Sequence, residues 1–302
     1  MDFLNWLGAM PGAAAQGMIW GIMAIGVYIT FKILELSDLT VDGSMVTGMA
    51  TCAMLMAAGW NVWAAMLIAF IAGMAAGLVT GLFHTIMGIP AILSGILTQL
   101  ILWSVNLKIM GKANQALPAR SYDVLITQLR KYESLVYLFL ICIVLIAVLY
   151  WFFGTRYGMS IRATGCNVKM SRAQGINTSS NKVVGLALSN GIVALAGALL
   201  AQYSGKADIS DGRGAIVIGL AAVIIGEAIV SRMGQSFVIR LTGVLIGGVI
   251  YYIVYQTVIF LGLDTDLLKM LSAIVVAIFL AVPHLKKTYF SKPAVRNTKE
   301  AA

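Results

Sequence analysis

Residues 134–153 read SLVYLFLICIVLIAVLYWFF, twenty consecutive positions without a charged side chain. A helix needs about 20 predominantly apolar residues to cross the ~30 Å hydrocarbon core of a bilayer. The pattern repeats in both directions along the chain. Further apolar runs fall at 16–36, 43–59, 62–83, 89–110, 183–203, 214–230, 237–260 and 267–283. The 302 residues are 60% hydrophobic and 11% charged, whereas soluble domains carry about 25% charged residues. That departure is too large for a buried soluble core. It implies one all-α, polytopic transmembrane domain over residues 1–302, with about eight to ten membrane segments. No strand is expected, because backbone in lipid must satisfy its own hydrogen bonds and helices do so. Runs 43–59 and 214–230 are short for a crossing, which suits half-helices or re-entrant pieces.

The net charge of +9 sits in short loops between apolar runs. There it sets topology rather than gripping nucleic acid. The connection 154–182 carries Arg156, Arg162, Lys169, Arg172 and Lys182 and no acid, and the tail 284–302 is basic; both are expected to be cytoplasmic. Loops 204–213 and 261–266, with Asp208, Asp211, Asp264 and Asp266, suit the outer side. Loop 111–133 is cationic through Lys112, Arg120, Arg130 and Lys131, although span counting puts it outside. The N-terminus lies inside if every run crosses once, and outside if 43–59 does not. Residues 1–15 lack cations, which favours outside and removes the positive start of a signal peptide. Phe3, Trp6, Leu7 and Met10 recur at helical spacing before Pro11, as in a short interfacial helix. Cys52 and Cys142 lie in apolar runs and Cys166 in a basic loop, a spacing that fits neither a disulfide framework nor zinc.

Residues 158–177, GMSIRATGCNVKMSRAQGIN, are too long for a turn and too regular for a linker. Asn167 is placed to cap the start of a short helix and Gly175 its end. Val168, Met170 and Ala173 offer apolar surface beside the charges of Lys169 and Arg172. The stretch is therefore either a knob that plugs into a partner or a helix lying on the lipid surface. A second pattern is an internal echo. Ser37-Asp38-Leu39-Thr40-Val41-Asp42-Gly43 resembles Ala207-Asp208-Ile209-Ser210-Asp211-Gly212, each joining an apolar helix to a short Gly-rich one. Inverted repeats with broken helices mark many transporter folds.

Arg162-Ala163, Gly165, Asn167, Arg172-Ala173 and Gly175-Ile176-Asn177 resemble the signature loop in permeases of ABC importers for branched-chain amino acids and ribose-like sugars. The Gly- and Ala-rich helix Gly185–Ala201 follows, as it does there. Gly21 to Gly26 and Asp38 to Ser44 are similar to the front of the same permeases. Residues 219–236 depart from the sugar members, with Gly226-Glu227-Ala228 and Arg232-Met233-Gly234 in place of a Gly-Gly-Thr-Ser turn. The pattern looks like a shorter branch found with tryptophan- or tyrosine-type importers. The resemblance implies a homodimeric permease in a bacterial plasma membrane. Its partners would be ABC ATPase subunits, which bind ATP and magnesium and dock on the loop, and an extracytoplasmic solute-binding protein. On this chain it places ATPase coupling at Arg162, Gly165, Asn167, Lys169, Arg172, Gly175 and Asn177. The solute would be an amino acid, with a sugar or nucleoside as the alternative.

No phosphate-cradling G-x-x-x-x-G-K-[ST] occurs, so no nucleotide site and no cofactor are expected on this chain. Candidate substrate-path residues are the polar groups at or between spans: Asp38, Thr40, Asp42, Ser44, Gln99 and Asn190. Asp38 and Asp42 either line the path or cap the helix that follows. Glu227 is read as a structural partner of Arg232, as a substrate contact, or as the buried acid of a proton- or sodium-driven transporter. His84 is a lone imidazole, the scattered Met residues suit gap-filling better than copper, and no metal site is expected. With His84 and His284 at opposite ends of the chain, no catalytic constellation is present. Gly73, Gly77, Gly81 and the pair Gly243, Gly247 permit close helix approach, static or sliding.

Overall fold

The computed structural model describes residues 3–117, 124–230 and 236–260, with 270, 273, 274, 277 and 281 beyond them. Residues 118–123 and 231–235, loop 261–266, most of run 267–283 and tail 284–302 lie outside the described residues. Ten α-helices are described: α1 Phe3–Tyr28, α2 Val41–Ala57, α3 Val62–Thr85, α4 Ala91–Met110, α5 Lys131–Gly154, α6 Arg156–Cys166, α7 Val168–Ala173, α8 Thr178–Ser204, α9 Ala215–Val230 and α10 Phe237–Phe260. A π-helical turn, Ile29–Ile33, extends α1. Among the described residues, six helices are long and apolar enough to span a membrane: extended α1, α3, α4, α5, α8 and α10. α2 and α9 are shorter, as expected for runs 43–59 and 214–230; at 1.5 Å per residue their 17 and 16 residues reach about 25 Å. The protein is a polytopic helical membrane protein.

Burial sorts the helices. α1 and α8 are buried on nearly all sides, whereas α4 and α5 turn apolar stripes outward. On α5 the stripe is Val136, Phe139, Leu140, Ile143 and Val144; on α4 it is Ile96, Leu97, Leu100 and Ile101. Large aliphatic side chains exposed at helical spacing suit lipid as the solvent. Around α8, glycines bring backbones into contact. A methyl on Gly48 of α2 would overlap the Ala194 carbonyl, and one on Gly197 of α8 the Met45 carbonyl. Gly73, Gly77 and Gly81 face α8 in the same way, and Gly243 and Gly247 face α9.

Cross-contacts fix the direction of α1 relative to α8. The Tyr203 hydroxyl, at one end of α8, donates to the Gly12 carbonyl at 3.1 Å. Gly165, beside the other end of α8, packs against the Ile33 carbonyl. α1 thus runs antiparallel to α8, and the N-terminus lies at the end opposite the 154–182 connection. That is the alternative attached above to an incomplete crossing by 43–59. α1 is also continuous through Pro11, with no break between residues 3–15 and the run that follows.

One expectation fails. Asn114–Ala116 (β1) and Lys206–Asp208 (β2) form an antiparallel two-stranded ladder, Asn114 opposite Asp208. These residues lie beyond the helix ends, where the lipid argument against strands has no force. The ladder also puts the cationic loop after α4 at the same end as the acidic loop after α8.

Replacing Gly197 with Val is expected to lower stability by about 1–3 kcal/mol or more, since overpacking forces backbones apart. Gly154→Ala, where an added methyl meets nothing within 4 Å, is expected to be neutral. Thermal unfolding of both variants in detergent checks the pair.

Candidate functional site

The chain leaves helical geometry ahead of both short apolar helices, over 34–40 before α2 and over 205–214 before α9. After the π turn it bends at Glu35, the one described non-glycine with positive φ (54°). It then runs non-helically to α2. Asp38 builds this break. Its Oδ1 accepts the Thr40 amide at 2.9 Å and its Oδ2 accepts Asn190 Nδ2 at 2.7 Å. Asn190 lies at the midpoint of α8. Its Oδ1 accepts the Ser44 hydroxyl at 2.6 Å, while its Nδ2 also reaches the Leu186 carbonyl at 3.0 Å. The Thr40 and Thr80 hydroxyls share a hydrogen bond of 2.7 Å. Asp38, Thr40, Ser44 and Asn190 are all buried. Four of the six candidate path residues therefore form one network, and Thr80 joins it from α3. Thr80 carries no sequence signal, since one Thr in an apolar helix reads as filler.

Asp42 faces elsewhere. Its carboxylate accepts the Gly214 and Ile216 amides, each at 2.9 Å, and so caps α9 across the molecule rather than its own helix. The second break is built like the first. Asp208 Oδ1 accepts the Ser210 amide at 2.9 Å, the turn that Asp38 makes with Thr40. The two half-helices run in opposite senses from this meeting point. α2 leads from Ser44 to Cys52, which approaches Gln202 near the far end of α8. α9 leads to Glu227, whose Oε2 lies 2.7 Å from Lys32 Nζ, just beyond α1. Lys32, not Arg232, is the described partner of Glu227, and Arg232 lies outside the described residues. Gln99 sits with Asp42, Trp103, Asn106 and Arg213 around a small cleft of about 20 Å³.

The loop candidates divide. Arg162, Asn167, Lys169, Arg172, Gly175 and Asn177 are exposed, whereas Gly165 is buried beneath them. Asn167 Oδ1 accepts the Met170 amide at 3.0 Å and caps α7. Gly175, at φ 79°, ends it; its amide reaches the Arg172 carbonyl and that of Ile176 the Ser171 carbonyl, both at 3.0 Å. Asn177 then caps α8 through the Ser180 amide at 3.1 Å. Arg162 lies 5.4 Å from the Phe237 ring centroid, and Arg172 Nε donates to Thr178 Oγ1 at 2.9 Å. His84 Nδ1 contacts the Ile89 carbonyl at 2.9 Å and Nε2 contacts Lys182 Nζ at 3.2 Å. No group of three or more metal-ligating side chains occurs among the described residues.

Asn190→Ala leaves the Asp38 carboxylate and the Ser44 hydroxyl short of partners. The expected loss is roughly 2–4 kcal/mol, the range for breaking a buried polar network. In a double-mutant cycle with Asp38→Ala, a coupling of at least ~1 kcal/mol is expected. Denaturant titration in detergent measures both, and additive losses would contradict the network.

Comparison with known proteins matches residues 10–282 to the family described as branched-chain amino acid transport system, permease component. The tyrosine transport system permease protein of Clostridioides difficile (strain R20291) is 37% identical over 271 residues, 89% of this chain and 90% of that protein. An uncharacterised protein of Rickettsia prowazekii (strain Madrid E) is 32% identical over 271 residues, 89% of this chain and 95% of its own. The autoinducer 2 import system permease protein LsrC of Yersinia pestis (strain Pestoides F) is 28% identical over 206 residues, 67% of this chain and 56% of its own. No solved structure matches. With six helices among the described residues long and apolar enough to span a membrane, two shorter apolar ones and a family match over residues 10–282, the chain belongs to the family of permease components of branched-chain amino acid transport systems.

Proposed function

We propose that this chain is the membrane-spanning subunit of an ATP-driven importer in a bacterial plasma membrane, and that its solute is an amino acid, aromatic in class. The observation that carries the reading is the elbow of α6 and α7. It is basic, exposed, capped at both ends and anchored by a buried glycine on the terminus of the α1 extension. A knob of this kind suits a partner that does mechanical work on it. In this reading the elbow faces the cytoplasm, as its cations favour. Two copies of the chain flank the path. ATPase subunits, which bind ATP and magnesium, dock on the elbows through Arg162, Asn167, Lys169, Arg172, Gly175 and Asn177, with Gly165 holding the elbow to the core. A solute-binding protein docks at the β1–β2 end. Transport follows alternating access: closure of the ATPase pair shifts the elbows, and the path opens to the other side.

The same reading runs the path past the first break. Asp42 and Gln99 line its small cleft, and the network of Asp38, Thr40, Ser44 and Asn190 holds the break in place. The amino-acid class is supported by the name of the Clostridioides difficile relative. The LsrC likeness supports a second solute class, a sugar-like signal molecule, over a smaller share of both chains. An ion-driven mechanism finds less support in Glu227, which is held by Lys32 and about one-third exposed.

Lys169→Glu and Arg172→Glu are expected to cut ATP-dependent uptake in proteoliposomes at least ~10-fold, since like charges across an interface cost several kcal/mol. Folding is expected to survive, above all for the exposed Lys169. Undiminished uptake with normal recovery of the ATPase, or flux in vesicles holding this polypeptide alone, would overturn the assignment.

A further inference from the structure

Buried polar side-chain atoms are overwhelmingly hydrogen-bonded, so the exceptions locate something. Trp20 Nε1 is such an exception, on a side chain only 6% exposed. Trp20 lines a cleft of about 330 Å³ beside the second break, together with Tyr251, Tyr252, Tyr255, Asp211 and Arg213. Ligand pockets occupy about 300–1,000 Å³ and are mostly apolar with a few placed polar groups. Here Val217 and Ile218 supply part of the apolar lining and an aromatic cluster supplies the rest. Trp20 stacks on Tyr252 with centroids 5.7 Å apart, and Tyr251 and Tyr255 flank Tyr252 at 5.7 and 5.6 Å. The polar part carries one charge of each sign. Asp211 lies 3.6 Å from Lys206 Nζ. Arg213 makes no ion pair among the described residues and rests 4.5 Å over the Trp103 ring.

Arg213 also lines the small cleft at the first break, where Asn106 Oδ1 is a second buried atom without a partner. Arg213, without an ion pair among the described residues, thus lines both clefts, and each is also lined by a residue that carries an unpartnered buried atom.

We propose that the larger cleft is a recognition site of the permease for a zwitterionic aromatic amino acid. The ring packs on the Trp20–Tyr252 wall. The carboxylate takes the Arg213 fork and the Trp20 indole N–H. The ammonium lies toward Asp211 and the tyrosine faces, which attract cations. The site rests on the amino-acid-import reading above and adds to it where and by which groups the permease selects.

The test uses the permease–ATPase complex in nanodiscs, without binding protein, probed with L-[3H]tyrosine. The unmodified complex is expected to bind it. Tyramine, which lacks the carboxylate, and 3-(4-hydroxyphenyl)propionate, which lacks the ammonium, are each expected to bind at least ~10-fold more weakly. Arg213→Gln is expected to remove the preference over tyramine while keeping the preference over the propionate. Asp211→Asn should do the reverse, and Trp20→Phe should weaken tyrosine about tenfold. Absence of tyrosine binding, equal competition by L-leucine, or a loss in Arg213→Gln that falls equally on tyrosine and tyramine would overturn the site. Competition on the unmodified complex does not depend on any variant folding. ATP-dependent tyrosine uptake by the complete importer, measured in parallel, separates the two readings. Uptake without cleft binding sinks the cleft alone, and absence of any amino-acid uptake sinks the import reading beneath it.

Discussion

A chain that leaves the helix at bilayer depth strips amide groups of their partners, and lipid offers none in return. Among the described residues the helix is broken ahead of α2 and again ahead of α9, and carboxylates supply amide partners at both. Asp38 takes the Thr40 amide and is itself held by Asn190. Asp42 takes the Gly214 and Ile216 amides. Asp42 also stands in the first turn of α2, where a negative charge complements the helix dipole. One carboxylate therefore serves the starts of two helices that point away from each other. The half-helices are thereby joined into a unit, and Gly212, packed on the Asp42 carbonyl, leaves no room between them. The opposed directions of α2 and α9 fit this arrangement.

The elbow reaches that unit by a short mechanical route. Gly165 rests on the Ile33 carbonyl, and Leu34, the next residue, packs into the space left by Gly185 on α8. Four residues later the chain arrives at Asp38. Arg162, on the same elbow, stacks over Phe237 at the start of α10. A push on α6 and α7 would thus meet the α1 extension, the first break and α10 together. Contacts in which a carbonyl sits where a methyl would be have little slack, since packed interiors transmit displacement rather than absorb it.

The helices were legible because lipid imposes a length and a composition. Runs such as 134–153 and 237–260 could be little else, and the short runs 43–59 and 214–230 declared themselves by length. The caps of α7 at Asn167 and Gly175 were legible because local backbone geometry selects those residue types. The partners across the fold were not. Asp42 looks from sequence like the cap of its own helix, and nothing in a linear reading connects it to an amide 172 positions away. Glu227 pointed to nearby Arg232, but is paired with Lys32 through the packing of α9 on α1. The aromatic cleft had a faint signal in Tyr251-Tyr252 and Tyr255, spaced to share a helix face. Trp20 and Arg213 complete it only because α1, α9 and α10 meet there.

The distribution of unsatisfied atoms sets the polar breaks apart from the clefts beside them. Asp38, Asp42, Ser44 and Thr40 are all provided for, and in a low-dielectric interior a satisfied network of this kind rigidifies its surroundings. Such a network supports a path better than it binds a changing occupant, because a solute would have to replace bonds already made. Trp20 Nε1 and Asn106 Oδ1 stand in the opposite position: both are buried without a partner, on residues that line clefts sharing Arg213. Leaving a buried donor or acceptor unmade costs about 1–3 kcal/mol, a cost that a passing ligand with a carboxylate and an ammonium can offset. The polar groups of the breaks are thus spent on holding the half-helices, whereas the two unpartnered atoms sit on α1 and α4, beside clefts that Arg213 lines.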